Sequence, residues 1–269
     1  MSAVTDVLRS RDLLWNLTLR ELRTKYRRSF LGWTWSMLNP LATVAIYGVV
    51  FGVLFGVNAP VGEPSGLRNF ALFLVCGILP WNFFALMNTL GMTSISGNAE
   101  LVRRVYFARE TLVFSNVLHA LVQFGIELLI LSVILLIAGS FFLPWLPVIV
   151  FTSVLLALFG AGFALALSAL SVYFRDISYL WTIVMQAWFF ATPIVYPPSL
   201  AADALPGWAY NVLSLNPMAR FVEIYRDTMY GAGPPSWSTL GGLVITSVAV
   251  LAIGWTIFSK LSRRLPEEV

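Results

Sequence analysis

Long apolar runs alternate with short polar breaks along nearly the whole chain, and the runs are of membrane-crossing length. A hydrocarbon core about 30 Å thick needs about 20 apolar residues as a helix, which satisfies its own backbone polar groups in lipid. Six stretches qualify, near Phe30 to Val57, Phe70 to Ile95, Thr111 to Gly139, Pro147 to Val172, Ile177 to Val195 and Leu240 to Ser259. The fifth is weakest at its far end, where the prolines of "ATPIVYPP" break the helix.

Ahead of the first run, Trp15, Leu19, Leu22, Tyr26 and Phe30 recur at helical spacing. Arg20, Arg23 and Arg27 lie on one flank of this stripe, and Lys25 and Arg28 on the other. The pattern predicts a helix lying in the membrane interface, its aromatic stripe in the acyl boundary and its basic flanks against anionic headgroups. A secretory leader has an apolar core of roughly 7 to 15 residues, about half the run found here, so cleavage is not expected.

Composition agrees with this pattern. Of 269 residues 58% are hydrophobic and 11% charged, whereas soluble domains carry about 25% charged residues. The chain therefore reads as a polytopic, all-α membrane protein with one transmembrane domain. Within it, 1–29 is the interface helix, 30–195 holds spans one to five with a loop at 96–110, 196–239 is external, 240–259 is the last span and 260–269 a tail. The net charge of +4 does not point to nucleic acid, because the basic residues sit beside apolar spans and no zinc or RNA-binding signature accompanies them. Membrane lipid is the expected partner. All Arg and Lys except Arg68, Arg220 and Arg226 fall on one side of the spans, which predicts that both termini are cytoplasmic.

Chemistry has few places to reside. The lone Cys76 excludes an intrachain disulfide and a Cys-based metal site, and the lone His119 excludes a His cluster. No G-x-x-x-x-G-K-[ST], H-E-x-x-H or G-x-S-x-G occurs. We therefore expect no catalytic residue, metal or cofactor on this chain; if ATP is used, another chain must supply its site.

Four polar or aromatic groupings remain. In the third span Asn116, Gln123 and Glu127 share one helical face, with His119 close to it. Glu127 is an ionisable group near the middle of a span, expected to face protein or water. This face either packs by interhelical hydrogen bonds or lines a hydrophilic path, proton coupling being a third reading. In "SGNAELVRRVYFARE", Asn98 can cap a short helix with Glu100 in its first turn and Arg103 and Arg104 at its end. Val105, Tyr106 and Phe107 then form an apolar tip rimmed by charge, suited to docking or to folding back on the interface.

The segment from Tyr196 to Thr239 is too broken for a span, yet Trp208 to Leu215 is too apolar for a free loop, so re-entrant or interfacial short helices fit. Ala219 to Tyr230 reads as an amphipathic helix, with Phe221, Ile224, Tyr225 and Thr228 on one face and Arg220, Glu223 and Asp227 off it. Aromatics make up 14% of the chain. Trp33, Trp35, Tyr47, Phe51, Trp81, Phe83, Phe84, Trp181, Trp188, Phe189 and Phe190 serve either helix packing and interface belts or a path for sugars, whose CH faces stack on rings.

Six stretches, taken in order, resemble the membrane subunit of ABC-2-type polysaccharide exporters, which export O-antigen, teichoic acid and related lipid-linked glycans. They are "LRELRTKYRRSFLGWTWSMLNP", "CGILPWNFF", "NAELVRRVYFARE", "VYFRDISYLW", "FFATPIVYP" and "LNPMARFVEIYRD". The resemblance implies a homodimer of six-helix subunits in the bacterial inner membrane, with two cytoplasmic ATPase subunits carrying ATP and Mg. It implies that the N-terminal helix borders the substrate entrance; from their charge, Arg20, Arg23, Lys25, Arg27 and Arg28 are candidates for meeting the diphosphate of a polyprenyl-linked glycan, the alternative being that the run is only a topology anchor. Asn98, Glu100, Arg103, Arg104, Val105 and Tyr106 match the helix that couples to the ATPase. Trp208, Tyr210, Asn216 and Pro217 fall at the external exit. Trp33, Tyr47, Phe51, Asn116, Gln123 and Glu127 are the candidates for lining the path. An exporter of a drug or small lipid would share the architecture, and a secondary transporter needing no ATPase would carry internal repeats, which the two halves do not display convincingly.

Overall fold

The computed structural model describes residues 11–25, 38, 41–42, 45–46, 48–54, 56, 59–105, 107–198, 206–207 and 213–262. Among these the chain is helical and contains no strand. The helices are α1 (Arg11–Lys25), α2 (Phe70–Thr93), α3 (Ala99–Arg104), α4 (Glu110–Ile137), α5 (Leu146–Tyr173), α6 (Ile177–Phe190), α7 (Pro217–Tyr225) and α8 (Trp237–Leu261).

Among the described residues four segments are long and apolar enough to cross a membrane: Phe70–Thr93, Glu110–Ile137, Leu143–Tyr173 and Trp237–Leu261. They match the expected second, third, fourth and sixth spans. The expected first span lies mostly outside the described residues; within it, Gly48–Leu54 forms a π-helical turn. The expected fifth span is shorter than its apolar run. Its helix α6 has 14 residues, about 21 Å of rise, which falls short of a bilayer core. Beyond Phe190 the chain turns inward, and Thr192, Ile194 and Val195 are buried. Pro193 is the cause, since its ring cannot continue the helix.

Packing runs in a chain of neighbours, α8 on α5, α5 on α2, α2 on α4 and α4 on α1. Small residues set the closest approaches. A Cβ on Gly162 would sit 2.5 Å from the Val250 carbonyl oxygen, and one on Gly254 would overlap the Gly162 carbonyl, so α5 and α8 meet backbone to backbone. Gly91 likewise abuts Ala164, where a Cβ would come within 2.6 Å of the Ala164 Cβ.

Aromatic rings fill the centre. Phe83 stacks on Phe124 with centroids 4.5 Å apart, and Phe84, Phe159, Phe163 and Trp188 meet at tilted or edge-on angles from α2, α5 and α6. Trp81 meets Trp188 and Phe189 edge-on. These rings therefore pack helices within one chain. Trp33, Trp35 and Tyr47, and the side chain of Phe51, lie outside the described residues.

Candidate functional site

Two polar junctions occupy opposite ends of the helix bundle. At the first, α1 lies against the start of α4. Leu17 and Thr18 are buried there, and the Thr18 hydroxyl donates to the Leu14 carbonyl of its own helix at 2.8 Å and sits 3.4 Å from that of Ser115 on α4. The described part of the stripe read from sequence lies off this contact: Trp15 is 58% exposed and Leu19 and Leu22 are half-buried, while Tyr26 and Phe30 lie outside the described residues. The helix thus has two apolar lines, one for the protein and one for its surroundings. The periodic spacing disclosed the second only, because a buried Leu-Thr pair is too short a pattern to stand out.

Arg20 projects from α1 toward the loop after α2. Its Nη2 donates to Asn98 Oδ1 at 2.7 Å and to Glu21 Oε1 at 2.7 Å, with Nε 3.3 Å from the same carboxylate oxygen. Asn98 is not the helix cap its position predicts. It makes no capping bond to α3; its Nδ2 donates instead to the Ser94 carbonyl at 2.9 Å, so the side chain is spent on bridging rather than on α3. The short helix itself forms as expected, with Glu100 in its first turn and Arg103 and Arg104 in its last. Val105 follows it and is 49% exposed. Phe107 is half-buried against the core, the folded-back alternative for this part of the tip, where burying its ring removes apolar surface from water. Arg20, Ser96, Asn98, Glu100, Arg104 and Val105 border a cavity of about 510 Å³.

Arg23 is exposed on α1. Arg27, Arg28, Tyr106 and the side chain of Lys25 lie outside the described residues. The far end of the loop is also tied down. Arg109 donates to the Ser262 carbonyl just beyond α8, and the Tyr173 hydroxyl donates to the Leu261 carbonyl at 3.0 Å.

The polar face of α4 turns into the bundle. Asn116, His119 and Glu127 are buried. The Asn116 amide donates to the Leu90 carbonyl of α2 at 3.2 Å, and Gln123 Nε2 donates to Glu127 Oε1 at 2.9 Å. Asn116 is thus an interhelical pin, one of the two main uses the sequence left open.

The second junction gathers at the opposite end around Asn216 and Arg226. Asn216 caps α7, its Oδ1 accepting from Met218 N at 3.0 Å and from Trp188 Nε1 at 2.8 Å. Its Nδ2 donates to the Ala191 carbonyl at 3.0 Å and to Thr192 Oγ1 at 2.9 Å. Pro217 occupies the first turn of α7, where a missing N–H costs nothing. One amide therefore seals both the start of α7 and the broken end of α6. Trp208 and Tyr210, the other residues expected here, lie outside the described residues.

The amphipathic helix expected at Ala219 to Tyr230 is α7 followed by a π-helical turn, Arg226–Tyr230. Phe221, Ile224, Tyr225 and Thr228 are buried as their spacing predicts. Arg226, which sequence grouped with the external cations, is only 7% exposed. Its Nη1 and Nη2 donate to the Pro193 and Ile194 carbonyls at 2.5 Å each, Nε donates to the Phe73 carbonyl at 3.3 Å, and the guanidinium lies 3.7 Å from the Phe73 ring centroid. A wheel of 3.6 residues centred on Phe221, Ile224, Tyr225 and Thr228 puts Arg226 off the apolar face, but it follows the buried Val222 by one turn, and both side chains lie against Gly77 of α2.

Beside it, Pro60, Pro193, Arg220, Glu223, Arg226 and Asp227 border a cavity of about 470 Å³. Arg220 pairs with Glu223 at 3.1 Å. Burial pushes the Asp227 carboxyl up to about 6, with Glu223 adding to the rise and Arg226 opposing it. No group of His, Cys, Asp and Glu able to hold a metal ion occurs among the described residues.

Relatives place these two junctions in context. An O-antigen export system permease protein RfbA from Myxococcus xanthus is 31% identical over 99% of this chain and 98% of its own length. A Klebsiella pneumoniae protein of the same name is 28% identical over 95% of this chain and 94% of its own. The polysialic acid transport protein KpsM of Escherichia coli is 22% identical over 90% of each. The ABC-2 type transporter family model matches residues 12–230, from the start of α1 through the π turn that carries Arg226. With the family model covering most of the chain and a relative 31% identical over nearly its whole length, the conclusion is that the chain belongs to the ABC-2 type transporter family.

Proposed function

We propose that this chain is the membrane subunit of an ATP-driven exporter of cell-envelope polysaccharide, working on a glycan carried by a polyprenyl diphosphate. The observation that carries the reading is similarity along almost the entire length to O-antigen export permeases. The chain itself is a non-enzymatic subunit, and ATP and Mg belong to a separate ATPase. On this reading the α1 end faces the cytoplasm, as do both termini, the chain spans the inner membrane six times, and two copies pair with two ATPase subunits.

A division of labour completes this reading. The exposed Val105, with Tyr106 beside it, docks the ATPase. The basic flanks of the N-terminal helix, Arg20, Arg23, Lys25, Arg27 and Arg28, meet the diphosphate at the entrance. The Asn216 and Arg226 junction holds the external exit in shape. Arg20 already uses its Nε and Nη2 donors on Glu21 and Asn98, so the two-toothed grip on phosphate falls first to Arg23, Arg27 and Arg28.

Conversion of Arg23, Arg27 and Arg28 together to Lys tests this. Charge and topology signal persist while the forked contact is lost, so glycan should diminish at the cell surface with ATPase binding and basal hydrolysis intact. Export at the wild-type level would reduce the run to an anchor. A drug or small-lipid exporter would instead leave glycan display untouched when the chain is deleted, and a secondary transporter would purify without an ATPase.

A further inference from the structure

We propose that Asn98 is a positioning residue for Arg20, and that this contact makes the interface helix α1 follow the loop on which the ATPase docks. The inference rests on the exporter reading above. Arg20 and Asn98 are 78 residues apart in sequence and meet at 2.7 Å. Asn98 is held at its other end by the Ser94 carbonyl at 2.9 Å, so its amide cannot swivel freely. An amide fixed at both ends passes a displacement of the loop on to Arg20; one fixed at a single end would rotate instead.

The opposite end of the same loop is tied to a different element, through Arg109 and the Ser262 carbonyl at the end of α8. The loop therefore has an anchor at α8 and a carrier contact at α1. The two ends differ in how easily they open. The Arg20 side chain is about half exposed, at 48%, and water and salt compete for its bonds. The Arg109 contact is partly buried. The α1 end is therefore the one that releases. Glu21 accepts from the same Nη2, so Arg20 keeps an anionic partner after letting Asn98 go. An incoming diphosphate that draws Arg20 away would free the loop, and by reciprocity a loop moved by the ATPase would change how Arg20 meets that diphosphate.

The experiment uses the full complex of permease and ATPase in lipid nanodiscs. Backbone hydrogen exchange across α1 is measured before and after trapping with Mg-ADP-vanadate, and ATPase activity is measured with and without farnesyl diphosphate. In the wild type, trapping should change exchange in α1 by about 5-fold or more. Asn98→Ala should abolish that change. Asn98→Asp should fail to restore it, because the carboxylate still accepts from Arg20 but no longer donates to the Ser94 carbonyl and, held at one end, turns instead; a full α1 response in Asn98→Asp would overturn the two-ended linkage. Copurified ATPase checks that each variant is assembled. An α1 response absent from the wild type, or present to the same extent in Asn98→Ala, overturns the inference. If the α1 response depends on Asn98 as described but farnesyl diphosphate fails to stimulate the wild type, the contact stands and the diphosphate reading falls.

Discussion

Arg226 holds Phe73 twice, by a hydrogen bond from Nε to the backbone carbonyl at 3.3 Å and by a guanidinium 3.7 Å above the ring. The remaining two nitrogens hold Pro193 and Ile194, so one side chain joins the start of α2 to the broken end of α6. Arg226→Met keeps length and removes every donor, leaving the two carbonyls after the helix break without their partner. The expected loss is about 3 kcal/mol. Arg226→Lys should be intermediate, since one ammonium cannot reproduce three directed bonds. Thermal unfolding in detergent, with limited proteolysis at 191–198, ranks the three proteins; a Met variant as stable as wild type would remove Arg226 from this role.

The approach of α5 and α8 predicts a sharp contrast among glycines. Gly254→Ala and Gly162→Ala each drive a methyl group into backbone of the facing helix, at an expected cost of about 1–3 kcal/mol. Gly241 and Gly242 have nothing within 4 Å of an added Cβ, and Ala there should be neutral or stabilising by up to about 1 kcal/mol. Melting temperatures of the four single variants decide this. A neutral Gly254→Ala would mean that the helices sit farther apart.

Glu127 accepts from Gln123 within α4. Glu127→Gln preserves shape and hydrogen-bonding capacity, whereas Glu127→Leu leaves the Gln123 amide without this acceptor. If the face works by hydrogen bonding toward the substrate path, export should survive Gln better than Leu while both variants insert and assemble. Equal loss with failed assembly would assign the face to packing alone.

Asp227 gives a pH dependence with a definite sign. Its folded-state carboxyl is raised to about 6, so the folded protein holds a proton that the unfolded chain has already released. Stability from this group therefore falls as pH rises from about 4 to about 6 and stays low above that. Asp227→Asn removes the penalty. It should stabilise the protein by about 1 kcal/mol at pH 7.5, after allowance for solvent screening of a half-buried group, and by little at pH 4. Melting curves at the two pH values check it, and a larger gain at the acidic value would reverse the argument.

Some of this architecture was decided by the amino-acid order alone. Apolar length sets where a helix can cross, so the four described long spans appear where the runs do; a proline ring cannot continue a helix, so α6 stops before Pro193; Asn-Pro at Asn216 and Pro217 starts α7 because Asn caps a helix and Pro suits its first turn. Alternation of polar and apolar positions likewise placed Asn116 and Glu127 on one face. Tertiary structure decided which partner each polar group takes. Asn98 lies in helix-cap position by sequence but bonds Arg20, because packing α1 onto α4 brings a guanidinium within reach. Arg226 looks like a surface cation until α2 at Phe73 and Gly77 and the carbonyls freed near a distant proline enclose it. A hydrogen bond is short-ranged and directional, so its partner depends on three-dimensional approach, which hydrophobic periodicity does not encode.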